Sequence, residues 1–293
     1  MQEQYRGGSS ISLTLSSDLC LTVARVETSL GMEHQAAVQN PGPVLEATNL
    51  ASLCGSAVFF LLMFVYVAPA VLRKVFPQYA SLPADKRIIM DDAFLSQVHT
   101  LILAPLGWYI YLFTELPPRA LFFDHPLARL GAAIETGYEL IRLLFSLYIP
   151  ALRLPSFILH HALTCLMTSI QMSYLCSPHA HNLGFICLTS NIFVNNRVFL
   201  NGFGKGKTRF ALWNGIALVV TFFYVRIVMI WVELWHLYHM HTAMQPGYFQ
   251  NVPFLIFLVD IPCNYLFAFL NIYWFYKICR IAWKVVFGKA KHD

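Results

Sequence analysis

The chain has 293 residues, of which 57% are hydrophobic and only 12% are charged, and its mean hydropathy is +0.57. A soluble domain carries about 25% charged residues, so this composition excludes an ordinary soluble fold. The net charge of +5 does not indicate nucleic-acid binding, because the basic residues cluster in short segments between apolar runs. The 7 cysteines follow no zinc or redox spacing, and no disulfide is predicted.

Seven apolar stretches predict membrane-spanning helices, because about 20 apolar residues cross the hydrocarbon core as a helix and the alternating pattern of a β-barrel is absent. The predicted spans are residues 49–72, 93–113, 130–149, 155–176, 183–200, 210–235 and 252–276. We therefore predict an all-α polytopic membrane protein. Residues 1–48 are mixed and polar and lack the apolar core of a signal peptide, so we predict a poorly ordered N-terminal tail.

Basic residues predict the orientation of the helices, since cytosolic loops carry an excess of Lys and Arg. The segments after the first, third, fifth and seventh spans carry most of them, whereas residues 176–184 and 236–250 contain none. This alternation fits an odd number of spans, with the N-terminus lumenal or extracellular and the C-terminus cytosolic. Lys289 and Lys291 resemble the dilysine retrieval signal of endoplasmic-reticulum proteins, which predicts residence in that membrane.

Two adjacent histidines, His160 and His161, lie within the fourth span. Ionisable side chains inside a bilayer are energetically costly and are usually functional. One face of this helix carries, at helical spacing, His160, Thr164, Met167 and Gln171. His161 is rotated from that face by about 100°. The histidine pair is therefore the candidate catalytic site.

The third span is the least apolar, because it carries Glu135, Glu139 and Arg142. Glu139 and Arg142 are three residues apart, which places them on one helix face within pairing distance. We expect them to neutralise each other within the helix bundle. The alternative is that one of them lines a polar cavity.

A histidine-ligated di-iron site is the metal alternative, because further histidines follow at metal-ligand spacing in two other segments. They are His179 and His181, and His236, His239 and His241. The predicted topology separates both groups from His160 and His161 by most of the roughly 30 Å bilayer core. We therefore predict no metal site, and we expect these histidines at the membrane interface beside aromatic residues, among them Trp231 and Trp235.

Short motifs in a fixed order across six spans resemble the TLC domain, a membrane domain of TRAM proteins, CLN-type proteins and ceramide synthases. The resemblance runs from about Lys86 to Tyr276. In chain order the motifs are Ser96-Gln97-Val98-His99, Gly137-Tyr138, His160-His161 with Thr164, the trio Phe193, Asn195 and Arg197, then Asn214-Gly215, and Phe223 with Arg226. The resemblance implies that residues 86–276 form a TLC-like bundle of six helices that can hold a lipid cavity. Residues 49–85 would then be a first helix with its loop, and residues 277–293 a basic cytosolic tail.

The chain departs from the ceramide-synthase branch of this family at its acidic positions. Ceramide synthases follow the histidine pair with an acidic His-Asp…Asp motif, whereas residues 182–198 of this chain contain no carboxylate. The acidic residue that often opens the fifth-helix motif is Leu188 here, and the aspartate often found after Gly-Tyr is Arg142. The chain therefore resembles a TLC-domain protein outside that branch.

The resemblance implies a role in lipid metabolism, with acyl transfer to a lipid amine or hydroxyl as the expected reaction. His160 or His161 would act as general base, since imidazole titrates near neutrality, or would accept the acyl group covalently. The donor would be an acyl-CoA or a phospholipid acyl group, with no permanently bound cofactor. The candidate substrate-binding residues are His99, Thr164, Asn195, Arg197, Arg226 and Asp260.

The alternative is a non-enzymatic TLC-domain protein that acts in membrane lipid homeostasis, lipid sensing or cargo export. The missing carboxylates favour this alternative. In both cases the expected partners are membrane lipids and not nucleic acids.

Overall fold

The computed structural model describes residues 46–117, 121–243, 253–254 and 256–287. Almost all of the predicted N-terminal tail, together with Lys289 and Lys291, lies outside these residues. The described chain forms seven long helices, which confirms the predicted all-helical fold. They are α1 (Ala47–Val75), α2 (Ala84–Phe113), α3 (Pro126–Tyr148), α4 (Pro155–Tyr174), α5 (Pro178–Gly202), α6 (209–243) and α7 (Ile261–Phe287).

Several helices extend beyond their predicted apolar spans. α2 begins at Ala84 rather than at residue 93, and α7 continues to Phe287 rather than ending at residue 276. α6 continues to Ala243 and α5 begins at Pro178, so the histidines at 179–181 and 236–241 lie on helices and not in loops. Hydropathy identifies the apolar part of a helix, whereas hydrogen bonding continues into its polar ends.

Proline and hydroxyl residues determine where most helices begin. Pro126, Pro155 and Pro178 occupy the first turns of α3, α4 and α5, where the missing N–H removes no helical hydrogen bond. Thr208 caps α6, since its side chain accepts a hydrogen bond of 3.2 Å from the Ala211 N–H. α4 ends at Leu175 in the left-handed region with φ 53°, which reverses the chain toward α5.

Four of the seven helices are long and apolar enough to cross a membrane by length and composition alone, namely α1, α2, α5 and the Arg209–Trp235 part of α6. α3 carries Glu135, Glu139 and Arg142, and α4 carries the histidine pair. These polar residues lower the hydropathy of both helices. For this reason α3 and α4 fall short of the criterion that α1, α2 and α5 meet.

Neighbouring helices close into a ring. α3 packs on α2 and on α4, α2 packs on α5, α5 packs on α6, and α6 packs on α7. The ring closes where the chain entering α7 returns to α4, and Phe267 of α7 lies against His160. α1 packs mainly on α3. The polar residues of α2, α3 and α4 therefore come together within one wall of the ring.

Two glycines allow the closest helix approaches. A Cβ at Gly137 of α3 would lie 2.5 Å from the Leu53 carbonyl oxygen of α1, and a Cβ at Gly107 of α2 would lie 2.7 Å from the Phe185 Cβ of α5. Neither position has space for a side chain. Small residues at such crossings allow membrane helices to pack closely.

Candidate functional site

The candidate site is a buried polar cluster shared by α2, α3 and α4. Glu135, Glu139 and Arg142 follow one another at helical spacing along one face of α3. They face His99 and Asp92 of α2 and His161 of α4. All of these residues except Asp92 are less than 9% exposed.

His161 is held by Glu139. The His161 Nδ1 and Glu139 Oε2 atoms lie 2.5 Å apart, and the Arg142 Nη2 atom lies 3.5 Å from His161 Nε2. Because a guanidinium can only donate, Nε2 faces Arg142 as the unprotonated nitrogen and Nδ1 carries the proton that is donated to Glu139. The expected pairing of Glu139 with Arg142 within α3 is therefore wrong.

Arg142 instead forms an ion pair with Asp92 of α2, through its Nη1 atom. Its guanidinium also lies over the Tyr138 ring, 5.8 Å from the ring centroid. Arg142 and Glu139 pair with residues of neighbouring helices rather than with each other, because Asp92 and His161 face α3 from either side. Arg142 thus links α2, α3 and α4 at one level of the bundle.

His99 is fully buried and pairs with Glu135, which contacts its Nε2 atom. The His99 ring stacks on the Tyr138 ring, with centroids 3.6 Å apart and an angle of 4° between the planes. His99 was predicted to bind substrate; in the structure Glu135 and Tyr138 enclose it, and its Nδ1 atom has no hydrogen-bond partner among the described residues. Each of the three carboxylates in the cluster has one basic partner on a neighbouring helix.

His160 lies next to this cluster, with its ring centroid 5.2 Å from that of His161. The Phe267 and Trp274 rings of α7 pack edge-on against it, each at 5.5 Å. Its Nδ1 atom is buried and has no hydrogen-bond partner among the described residues. The structure therefore brings the two histidines together and leaves one His160 ring nitrogen unpaired.

The other predicted site residues are dispersed. The Thr164 hydroxyl donates to the His160 carbonyl oxygen at 2.9 Å, within α4. The Asn195 amide donates to Ser96 and Gln97 of α2, both at 3.2 Å, and therefore joins two helices. Arg197 is half-buried on α5. The side chain of Asp260 lies outside the part of the chain that the structure describes.

Arg226 is buried at a junction of three helices. It lies on α6 and donates to Ser190 Oγ and Asn191 Oδ1 of α5, at 2.8 and 2.9 Å, and to Asn271 Oδ1 of α7, at 3.0 Å. Its described contacts are separate from the pairs formed by His99 and His161.

Glu139, His160 and His161 also form the group best suited to a metal among the described residues, since one potential ligand atom of each lies within 4.8 Å of the others. The Arg142 guanidinium, 3.5 Å from His161 Nε2, would repel a cation bound at that nitrogen. Of the other histidines, His179 Nδ1 pairs with Glu233 Oε2 at 3.0 Å, and the side chains at 236, 239 and 241 lie outside the described residues. The charge of Arg142 therefore disfavours a metal ion at His161 Nε2.

Sequence reasoning did not predict Asp92, Glu135 or Glu139 as partners of the site. A usable signal was present in α3, because Glu135, Glu139 and Arg142 are spaced by four and three residues and so share one face. An ionisable face on the least apolar span indicates polar partners on neighbouring helices.

Comparisons with known proteins agree with this architecture. A sequence profile of the TLC domain matches residues 90–280. TLC domain-containing protein 4-B of Danio rerio is 28% identical over 249 residues, which cover 82% of this chain and 90% of that protein. TLC domain-containing protein 4 of Homo sapiens is 28% identical over 236 residues, with 80% and 89% covered. An uncharacterized TLC domain-containing protein of Schizosaccharomyces pombe is 26% identical over 240 residues, with 80% and 79% covered.

These relatives are named for the TLC domain and not as ceramide synthases, as predicted from the acidic positions. The profile covers most of the chain, from within α2 into α7. The chain belongs to the TLC-domain family of membrane proteins.

Proposed function

We propose that this chain is an endoplasmic-reticulum protein of lipid metabolism that transfers an acyl group to a lipid amine or hydroxyl. The observation that carries the proposal is the carboxylate on the histidine: Glu139 lies 2.5 Å from His161 Nδ1. A carboxylate at this position holds an imidazole in the tautomer whose Nε2 can accept a proton. Residues 182–198 contain no carboxylate. Glu139 of α3 thus supplies one beside the histidine pair.

In the proposed reaction, the acceptor lipid replaces Arg142, 3.5 Å away, as the partner of His161 Nε2, and this nitrogen then takes a proton from the hydroxyl or amine of the lipid. The acceptor oxygen or nitrogen forms a bond to the acyl carbonyl carbon, and the carbon–sulfur bond of an acyl-CoA then breaks. The thiolate leaves with the proton that His161 returns. Glu139 stabilises the imidazolium between these two steps.

Two neighbouring groups would stabilise the oxyanion that develops on the acyl carbonyl. The unpaired His160 Nδ1 can donate if it carries the ring proton, and the Arg142 guanidinium supplies positive charge close to His161 Nε2. Donors fixed in a low-dielectric site stabilise such charge strongly. Basic residues between the helices, such as Lys205 and Lys207, would hold the phosphates of coenzyme A at the cytosolic surface.

The experiment is an acyl-transfer assay of purified protein in lipid nanodiscs. The protein is incubated with oleoyl-CoA and a total lipid extract, and newly acylated lipids are identified by mass spectrometry. His161→Ala is expected to abolish product formation, and Glu139→Gln to reduce it by a factor of about 100 or more, because an amide cannot stabilise the imidazolium. Leu159→Ala, an exposed position on the same helix, is the matched control and should retain full activity.

A folded His161→Ala variant that still forms the acylated product would refute the mechanism. Residence in the endoplasmic reticulum is tested separately, by replacing Lys289 and Lys291 with alanine and following the protein by microscopy. Escape of this variant to later compartments is the expected result.

The second candidate is a non-enzymatic role in lipid homeostasis, lipid sensing or cargo export. One observation favours it: His161 is only 5% exposed and has a polar neighbour at each ring nitrogen. In that case the cluster would only hold α2, α3 and α4 together. Affinity isolation followed by identification of bound lipids and proteins, with His161→Ala unchanged, would support this role.

A further inference from the structure

Glu135 and Glu139 are two buried carboxyl groups that lie beside each other on α3. They are four residues apart, so their side chains share one helix face, with Cβ atoms about 6 Å apart. They are 5% and 3% exposed, and their carboxyl groups are close enough to hydrogen-bond to each other. Two ionised carboxylates can only accept, so a hydrogen bond between them requires a proton on one of the two.

Each member of this glutamate pair also contacts a histidine on a different helix. Glu135 contacts Nε2 of His99 on α2, and Glu139 lies 2.5 Å from Nδ1 of His161 on α4. The four side chains therefore form one hydrogen-bonded chain across three helices, in the order His99, Glu135, Glu139 and His161.

Both histidines have a second nitrogen whose surroundings disfavour a charged ring. His161 Nε2 faces the Arg142 guanidinium at 3.5 Å, and a guanidinium can only donate. His99 Nδ1 is buried and has no hydrogen-bond partner among the described residues. Both nitrogens of an imidazolium carry a proton, and a buried N–H without an acceptor is energetically costly. The geometry therefore favours two neutral histidines.

With neutral histidines, the charge of the cluster depends on the glutamate pair. Arg142 and Asp92 neutralise each other. Two ionised glutamates would then leave two negative charges away from water, which is strongly unfavourable within a membrane. One proton on the pair halves this charge and also supplies the hydrogen bond between the two carboxyl groups.

We propose that Glu135 and Glu139 share one proton and carry a single negative charge, which makes Glu135 a positioning residue for His161. The proton can move between the two carboxyl groups without leaving the cluster. When it lies on Glu135, the charge lies on Glu139, beside His161. When it lies on Glu139, the charge faces His99. Glu135 therefore acts on His161 only through Glu139.

The shared proton does not rest on acyl transfer, whereas its use does rest on the proposed function. When His161 takes a proton from the acceptor lipid, the proton of the pair moves from Glu139 to Glu135, so that the negative charge lies next to the imidazolium. The pair gains and loses no proton in this step. The net charge of the cluster changes from one negative charge to zero, which favours the imidazolium.

The test is infrared spectroscopy of the full chain near neutral pH, in a detergent without ester groups. A protonated carboxyl group has a carbonyl band that a carboxylate lacks, and isotope-labelled glutamate identifies it. The wild type should show this band. Glu135→Gln and Glu139→Gln should each remove it, because the remaining glutamate then carries the single charge without a proton. Glu115→Gln, the same change at an exposed position, is the matched control and should retain the band.

Two results would overturn the shared proton. Absence of the band from the wild type would mean that charged histidines neutralise the pair, and this measurement needs no variant to fold. Retention of the band in either folded glutamine variant would place the proton on one carboxyl group alone.

The positioning role has its own readout in the acyl-transfer assay. Glu135→Gln fixes the single charge on Glu139, beside His161, whereas Glu139→Gln fixes it on Glu135. Glu135→Gln should therefore retain at least about ten times more activity than Glu139→Gln. Equal activity of the two folded variants would contradict the positioning role, and absence of product from the wild type would refute the proposed function while leaving the infrared band in place.

Discussion

Arg142 and Asp92 show how the buried charges of this protein depend on partners from other helices. Their side chains are only 10% and 14% exposed, and they belong to α3 and α2. Losing one member of such a pair leaves the other as an unpaired charge away from water, which is far worse than losing both. Removing one member of the pair should therefore destabilise the protein more than removing both.

We predict that Arg142→Leu lowers the free energy of unfolding by about 3–5 kcal/mol, because Asp92 then has no counter-charge. The double variant Arg142→Leu with Asp92→Leu should recover much of this loss. Thermal unfolding of the purified protein in detergent measures both effects. A double variant that is less stable than either single variant would contradict this explanation.

The second prediction at this scale concerns Tyr79, which lies between α1 and α2. Its hydroxyl donates to both Asp91 oxygens, at 2.6 and 2.8 Å. Burial, and then the hydrogen bond and the negative charge of Asp91, raise the pKa of Tyr79 above its usual value of about 10. The native state therefore holds this proton more tightly than the unfolded chain does.

This contribution to stability is fully present below about pH 10 and is lost as the pH rises above it. Tyr79→Phe should destabilise the protein by about 1–3 kcal/mol near neutral pH, because Asp91 loses its donor. The variant should also lose less stability than the wild type between pH 9 and about 11. Thermal unfolding across this pH series measures the difference, and parallel curves would show that Tyr79 is not the titrating group.

At this scale the sequence predicted the ionisable residues but not their pairing. His160 and His161 stand out because imidazole is unusual in an apolar run, which is a local property. The partners of His161 and Arg142 come from α3 and α2, so they depend on how helices lie side by side. The spacing within one helix favoured Glu139 with Arg142, and contacts between helices overrode that preference.

At the scale of the helices, the sequence predicted that each of the seven helices exists, and it placed the starts of α1, α4 and α6 within two residues of Ala47, Pro155 and Arg209. Pro155 in the first turn of α4 is a local signal, whereas the same signal at Pro126 and Pro178 was not used for α3 and α5. The start of α2 was missed because residues 84–92 are too polar for a membrane span, although they are helical. The π-helical turns in α1 and α6 were also not predicted, since no composition rule marks them.

Gly137 gives the prediction that belongs to this scale. A Cβ there would lie 2.5 Å from a backbone oxygen of α1, whereas a Cβ at Gly55, on α1 itself, would meet nothing within 4 Å. Gly137→Ala should therefore destabilise the α1–α3 contact by about 1–3 kcal/mol. Gly55→Ala should be neutral or stabilising by up to about 1 kcal/mol through helix propensity.

Both glycine variants are compared by thermal unfolding in the same detergent. They make the same chemical change, so a difference between them reports the helix contact alone. Equal melting temperatures would mean that α1 can move away from α3 without loss.

At the scale of the whole molecule, the ring of α2 to α7 depends on contacts that no sequence pattern indicates. Sequence neighbours such as α3 and α4 pack together as expected for short connections. The chain entering α7 contacts α4, although the two are far apart in sequence. This contact completes the ring and places Phe267 and Trp274 against His160. Aromatic residues on α7 had no assigned role in the sequence because their partner lies about a hundred positions earlier.

The seven-helix chain should place its two ends on opposite sides of the membrane. We predict that an engineered N-glycosylation site placed before α1 is modified, and that the same site placed after residue 293 is not. The reason is the excess of basic residues on the C-terminal side. Sensitivity of the product to endoglycosidase H measures the modification, and modification of both sites or of neither would contradict the odd number of spans.

The π-helical turn Phe223–Val228 makes α6 tolerant of one change in chain length. Such a turn contains one residue more than an α-helical turn needs. Removing one residue from it would restore a regular helix and leave the helix beyond it facing nearly as it does now. Glu233 would keep His179, its partner at 3.0 Å. A one-residue deletion in a regular part of α6 before Glu233 would instead rotate everything beyond it by about 100° and turn Glu233 away from that histidine.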